Sequence, residues 1–186
     1  MGYYLTKIIT GHITGTYRFR PLAEDDLPML SEWLSRPHLQ KWWSEQETGI
    51  QSLKEKYLPR IHGQDDARPF IIRKDEEDLG YIQYYSVTHG NPEWWPDKPG
   101  PGILGIDQFI ADEQDLGHGM GSAFISEFCH LLFQGPDINE IRVDPSPDNH
   151  GAIRCYEKAG FTKINLIDTP AGAALMMILT EATQEN

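Results

Sequence analysis

Residues 113–133, EQDLGHGMGSAFISEFCHLLF, place Gly117, Gly119 and Gly121 within five positions and then run into apolar residues at helical spacing. A bare turn that opens a helix can aim several backbone N–H groups at one anion, because the first four amides of a helix have no acceptor inside it. The spacing does not match G-x-x-x-x-G-K-[S/T], and no lysine follows to reach a terminal phosphate, so a nucleotide triphosphatase is disfavoured. A dinucleotide fingerprint fits poorly as well, since the polar DEQD separates the glycines from the strand before them. Just upstream, Asp107 interrupts the apolar run ILGIDQFI. A carboxylate isolated in this way can hold or remove a proton, or it is a structural acid bonded to backbone or to an arginine.

The chain has 186 residues, with 28 acidic and 16 basic side chains and a net charge of -12 when histidine is neutral. A phosphate polyanion is usually met by a basic face, so this balance argues against nucleic acid and favours a cationic small molecule. Excess acid also serves solubility. Cys129 and Cys155 form neither a metal-site spacing nor a disulfide scaffold, and no metal is expected. No segment approaches the roughly 18 apolar residues of a membrane span, and the first residues lack a cationic head followed by a long apolar run. The expectation is a cytoplasmic protein with no membrane partner, compatible with a monomer or a homodimer.

Positioning these groups requires a scaffold, and its elements are legible. YRFRPL reads as a strand ended by Pro21, and EDDLPMLSEWL reads as a helix with acids at its start, Pro28 in its opening turn and the poor cap Ala23 before it. A second helix is predicted over 50–61, ending beside Pro59. RPFIIRK and LGYIQYYSV read as strands joined by a turn over 75–78, and THGNPEWWPDKPGPG is a long loop of the kind that carries function. A strand at ILGIDQFIA, the glycine-led helix, a strand at EIRVD, a helix at NHGAIRCYEKAG ended by Gly160, and two closing strands complete the order. This is an α/β chain: a mixed, mostly antiparallel sheet with helices on both faces, and parallel pairing in its later part. Residues 1–17 are expected as an N-terminal extension, either a floppy arm or an added edge strand, before one domain over 18–186.

QDLGHG at 114–119 resembles the Q/R-x-x-G-x-G/A signature of the GCN5-related N-acetyltransferases (GNAT), and NHGAIRCYEKAGF at 149–161 is similar to that family's second cofactor motif. The resemblance implies the GNAT fold with splayed central strands and acetyl-CoA as acyl donor. The CoA pyrophosphate would then lie on the turn formed by Gln114, Gly117, His118, Gly119, Met120, Gly121 and Ser122. Gln114 would support that turn, His118 would face solvent, and Met120 would be core or lie near the cofactor arm. By the same resemblance Asn149 contacts the pantetheine region, with helix capping as the alternative, and the Tyr156 hydroxyl stands near the CoA sulfur. Backbone N–H groups in Phe109, Ile110 and Ala111 would stabilise the carbonyl oxygen. Cys155 falls on a variable position of the motif, so direct transfer is favoured over an acetyl-cysteine intermediate.

Acetylating nitrogen requires a neutral amine, yet free amines are mostly protonated near neutral pH, so the site must gather a cation and help it lose a proton. EWL, KWW, EKYLP, GYIQYY, GIDQ and DPSPDN, with the motifs above, resemble the aminoglycoside 6′-N-acetyltransferase family over nearly all of the chain from Tyr17. That resemblance implies that Asp107 deprotonates or positions the 6′-amine, and that Asp144 binds other ammonium groups. Trp94 and Trp95, beside Glu93 and Asp97, suit the faces of a cationic sugar or anchor the loop. Trp43 is a candidate for the opposite rim, and Gln108 either orients the acceptor or completes the strand. The chain departs from the family pattern at Pro92, where an acid is common, and at Ala23, where Ser or Thr is common. Rival readings are a GNAT enzyme acting on a polyamine, a siderophore amine or hydroxylamine, or a protein N-terminus, and a non-catalytic CoA or aminoglycoside binding protein.

Overall fold

A computed structural model describes residues 2–11, 15–43, 48–88 and 94–181 of the chain. Helix α1 (Gly2–Gly11) precedes β1 (Tyr17–Pro21), a 3-10 turn (Glu24–Asp26), α2 (Leu27–Leu34), the short α3 (Pro37–Gln40) and α4 (Ile50–Ile61). Then come β2 (Arg68–Lys74), β3 (Glu77–Ser86), β4 (Ile103–Ile110), a second 3-10 turn (Glu113–Asp115) and α5 (Met120–Phe133). β5 (Glu140–Val143), α6 (His150–Lys158), β6 (Thr162–Thr169) and β7 (Gly172–Thr180) close the order. One seven-stranded sheet runs β1-β2-β3-β4-β5-β7-β6. Among the described residues, parallel pairing is confined to β4 and β5, and every other neighbour is antiparallel.

The sheet is apolar on both faces because successive side chains of a strand point to opposite sides. Phe70, Ile72, Ile82, Ile106 and Ile110 pack with α1, α5 and α6 on one face, while Ile71, Tyr81 and Phe109 pack with α2 and α4 on the other. That alternation assigns the chemistry. Gln83 and Asp107, directly opposite each other across β3 and β4, share the α4 face, and Gln108 takes the α5 face.

The weak cap at Ala23 has a substitute three residues on. Asp26 Oδ2 accepts from the Ala23 N–H at 2.8 Å, and the same carboxylate receives both Arg20 Nη1 at 2.6 Å and Nη2 at 2.9 Å. Pro59 lies inside α4 and the helix continues to Ile61.

Residues 2–11 are a helix, neither an arm nor an edge strand. Leu5 and Ile9 lie one helical turn apart, are fully buried, and belong to the same core as Phe124, Phe128 and Leu132 of α5. Gly135 after α5 admits the Leu5 side chain, since a Cβ there would lie 2.3 Å from Leu5 Cδ2. The i, i+4 pair was present in the sequence, masked by flanking glycines and tyrosines. Truncating Leu5 to Ala is expected to destabilise the chain by about 2–4 kcal/mol, as a cavity in a closed core does. Urea denaturation checks this, and a change within experimental error would detach α1 from the core.

Candidate functional site

β4 and β5 pair only at Ile103↔Glu140, Leu104↔Ile141 and Gly105↔Arg142, after which β5 ends at Val143 and β4 continues to Ile110. Which amides this exposes follows from the other edge. Val87 N–H donates to Ile103 O at 3.3 Å and Ala111 N–H to Leu79 O at 2.9 Å. Antiparallel pairs alternate, so the odd-numbered β4 residues, Phe109 included, turn their amides toward β3. The amides of Gln108 and Ile110 therefore face the gap. Of the three residues expected to present an N–H there, Ile110 is so placed, whereas Ala111 is bonded to β3 and Phe109 is directed to it. At the far end of the edge, His38 Nε2 lies 3.2 Å from Ile110 O and Arg36 Nη1 donates to Ala111 O at 2.7 Å.

The gap widens into a cleft of about 760 Å³ lined by β4, the glycine turn, α5 and α6, with His38 and Trp43 on its far wall. Asp112 Oδ1 accepts from Gln114 N–H at 2.9 Å and caps the 3-10 turn, which feeds Gly117 and Gly119, both at φ 81°. A Cβ at either would meet nothing within 4 Å, so glycine is required there by the left-handed backbone rather than by crowding. The first bond of α5 runs from Ala123 N–H to Gly119 O at 3.3 Å, which leaves the amides of Met120, Gly121 and Ser122 without helical acceptors. Gly121 is buried against α6, where a Cβ would lie 2.7 Å from Cys155 Sγ. His118 and the Gln114 side chain are exposed, Ser122 Oγ donates to Gly119 O at 3.0 Å, and Met120 packs against the core. Asn149 lines the cleft and caps α6, its Oδ1 accepting from Ala152 N–H at 3.1 Å.

A second cavity of about 470 Å³ opens on the opposite face of β4, lined by Asp107, Gln83, Tyr85, Arg60, Trp94 and Trp95 among others. Burial raises the Asp107 carboxyl above its ordinary range, opposed by a hydrogen bond from Gln83 and by the positive charges of Arg60 and Lys56. Tyr156 of α6 is buried in the core beside Gln108 and near Asp107. Burial pushes its hydroxyl well above the usual phenol range and Asp107 adds to the effect, while a hydrogen bond with Gln108 pulls the other way. This hydroxyl stays protonated and is a hydrogen-bond donor. Gly105, where β4 and β5 part, is overlain by Tyr85, whose ring would lie 2.3 Å from a Cβ.

Residues 94–97 are held beside the second cavity by two ties. Trp94 Nε1 donates to Asp144 Oδ2 at 2.7 Å. Asp97 takes Arg142 in a bidentate pair, both oxygens at 2.8 Å, and the same guanidinium lies 5.3 Å from the Trp95 ring centroid. Trp95 is buried with Val87, Ile167 and Met176, so it anchors the loop, and both Asp97 oxygens are engaged by Arg142. Trp43 packs edge-on against Phe109 and Tyr81 and lines the first cleft, not the second. Glu93 lies outside the described residues. The structure thus brings Asp107, Asp144, Tyr156 and Trp94 together and leaves Trp43 and Asp97 apart from them. Gln83, Arg60 and Tyr85 were missed by sequence reasoning. The signal for Gln83 was available: it is the one amide side chain inside the apolar strand GYIQYY.

Among the described residues, no cluster of three or more His, Cys, Asp or Glu side chains could hold a metal ion, and no helix is long and apolar enough to cross a membrane. The sequence pattern of the acetyltransferase (GNAT) domain matches residues 23–169. Over 168 residues the chain is 39% identical to the aminoglycoside N(6′)-acetyltransferase type 1 of Klebsiella pneumoniae, spanning 89% of this chain and 84% of that one. A solved structure of AAC(6′)-Ib with paromomycin and acetyl-CoA is similar at a TM-score of 0.87 and 38% identity, covering 92% of this chain and 97% of that chain. Another, of AAC(6′)-Ib with coenzyme A and kanamycin, is similar at a TM-score of 0.85 and 38% identity, covering 91% and 97%.

Burial, and then the charge of Asp107, pushes the Asp144 carboxyl from 3.8 up to about 7, against the pull of the Trp94 hydrogen bond. The folded chain therefore holds a proton in a window where the unfolded chain has released it. The stabilising effect of that proton is complete below the ordinary carboxylate range and is lost as pH rises through about 7. Asp144→Asn keeps an acceptor for Trp94 and removes the titration. Relative to this variant, the natural chain should lose stability with rising pH across the window, at a slope of at most about 1.4 kcal/mol per pH unit. Urea denaturation of both chains along a pH series reads the difference, and parallel curves would remove Asp144 as the titrating group.

Proposed function

We propose that this chain, which belongs to the acetyltransferase (GNAT) family and within it to the aminoglycoside 6′-N-acetyltransferases, transfers the acetyl group of acetyl-CoA to the 6′-amine of aminoglycosides. The observation that carries the mechanism is that one strand, β4, offers a bare backbone edge to the first cleft and Asp107 to the second. The first cleft suits acetyl-CoA. Unbonded amides at Met120, Gly121 and Ser122 can receive the diphosphate. The free edge at Gln108 and Ile110 can pair with the amides of the pantetheine arm as a neighbouring strand would. Bound there, acetyl-CoA supplies a thioester whose acyl carbon the amine attacks.

The chain's own groups do the rest. Asp144, Asp107 and the Trp94 ring draw a polycation into the second cavity, where the desolvated carboxylates regain favourable charge pairing. Asp107 accepts the proton that the amine must lose, directly or through water. The N–C bond forms as the C–S bond breaks, the Tyr156 hydroxyl passes its proton to the departing sulfur, and the second proton that the nitrogen sheds on becoming an amide restores the hydroxyl. Dissolved amine and thioester become neighbours across one strand, so positioning supplies a large part of the rate. Because Cys155 is pushed up to about 11, it is a poor nucleophile at neutral pH, which favours direct transfer. Two unpaired cysteines and the use of acetyl-CoA support a cytoplasmic setting, and the outcome for the cell is resistance to the antibiotic.

Asp107→Asn is expected to lower turnover on kanamycin by about 10²-fold or more while leaving acetyl-CoA affinity within about twofold. Thiol release together with calorimetry checks both parts, and near-normal turnover would remove Asp107 from proton transfer. The same assay with spermidine and peptides tests the acceptor. Thiol release with those amines and none with aminoglycosides would overturn the assignment.

A further inference from the structure

Asp107 does not stand alone on its strand. Gln83 of β3 lies directly across from it in the register, is only 6% exposed, and lines the same cavity. Its Oε1 accepts from the Tyr81 hydroxyl at 2.7 Å and from Arg60 Nη1 at 3.0 Å, and its Nε2 donates to Asp107 Oδ2 at 2.6 Å. A guanidinium has donors and no acceptor, so Arg60 can face only the oxygen end of the amide. That settles which way the amide points. Its nitrogen must face the carboxylate.

We propose that Gln83, oriented by Arg60 and Tyr81, is the positioning residue for Asp107: it occupies Oδ2 and leaves Oδ1 as the oxygen that meets the acceptor amine. The inference rests on the reading of Asp107 as the proton acceptor. A donor aimed at a buried carboxylate favours its charged form and opposes burial, and a base that is already protonated cannot take a proton from an ammonium. The other groups around Asp107 cannot replace this contact. Arg60 and Lys56 of α4 act on it through their charge, and Arg60 points its Nη1 at Gln83. Asp144 after β5 opposes ionisation of the pair, and burial holds the hydroxyls of Tyr85 on β3 and Tyr156 on α6 in their neutral forms. Arg60 thus fixes an amide on β3, and the amide fixes the reacting carboxylate on β4.

Gln83→Glu separates positioning from structure. It has the same shape and keeps an oxygen for Tyr81 and Arg60, but it replaces the donor facing Asp107 with a second acid. Gln83→Met removes the contact without adding charge. The titration of the Asp107 carboxyl is read by carbon-13 NMR of the full-length protein, the resonance being the one lost in Asp107→Asn. Its midpoint is expected to move up by about one pH unit or more in Gln83→Glu, and up by less in Gln83→Met. Turnover on kanamycin near neutral pH should fall about tenfold in Gln83→Met, with the KM for acetyl-CoA within about twofold of the natural chain. An unmoved midpoint in Gln83→Glu would overturn the inference, as would natural turnover in Gln83→Met. Full turnover in Asp107→Asn would overturn the proton-transfer reading instead, and the NMR midpoints would still judge the Gln83 contact.

Discussion

The site depends on a hydrogen-bond ladder that stops early. β4 and β5 share three paired positions, and beyond Gly105↔Arg142 the two strands part. β5 stays with β7, to which it pairs from Glu140 to Val143, and the association continues past the strand through Leu175 N–H to Pro145 O at 2.9 Å. A buried backbone that is left unpaired is costly, so a strand edge that opens into a protein cleft is a stored demand for a partner. Here the demand falls on Gln108 and Ile110, beside the unbonded amides that begin α5. A ligand rich in amides and ending in a diphosphate meets both demands at once.

The same strand carries Asp107, the residue we propose for the acceptor side. Alternation along β4 sends Asp107 to the α4 face and Gln108 to the α5 face, so one backbone separates two cavities by the thickness of a strand. Tyr156 of α6 lies beside Gln108 and near Asp107. Burial disfavours the charged forms of Asp107 and Asp144, and the charge of Asp107 adds to the effect on Asp144. In the mechanism we propose, a multiply protonated acceptor relieves that cost. The Arg142 pair with Asp97 and the Trp94 bond to Asp144 hold the loop wall in place before any acceptor arrives.

Much of this was legible in the sequence because the responsible signals are local. Glycine spacing identified the turn at 117–121, periodicity placed α2, α4, α5 and α6, and a single acid in an apolar strand marked Asp107. The portions that were not legible depend on who faces whom across the sheet. Asp97 and Trp95 carry the same residue types as substrate ligands, and only the presence of buried Arg142 opposite them turns both into loop anchors. Phe109 and Ala111 differ from Gln108 and Ile110 in parity alone, and parity acquires meaning only once the register with β3 is known. Trp43 follows the same rule: its side chain closes over Phe109 and Tyr81 rather than over the second cavity. Helix α1 was hidden for a different reason. Its only apolar pair described as buried, Leu5 and Ile9, gains its partners from α5, more than a hundred residues later in the chain.

Amide hydrogen exchange, residue by residue, with and without acetyl-CoA, tests the open edge most directly. Gln108 and Ile110, together with Met120 to Ser122, are expected to gain protection on binding, while Phe109 and Ala111, already turned to β3, change little. Saturation with acetyl-CoA that leaves the Gln108 and Ile110 amides as exchangeable as before would contradict the open edge.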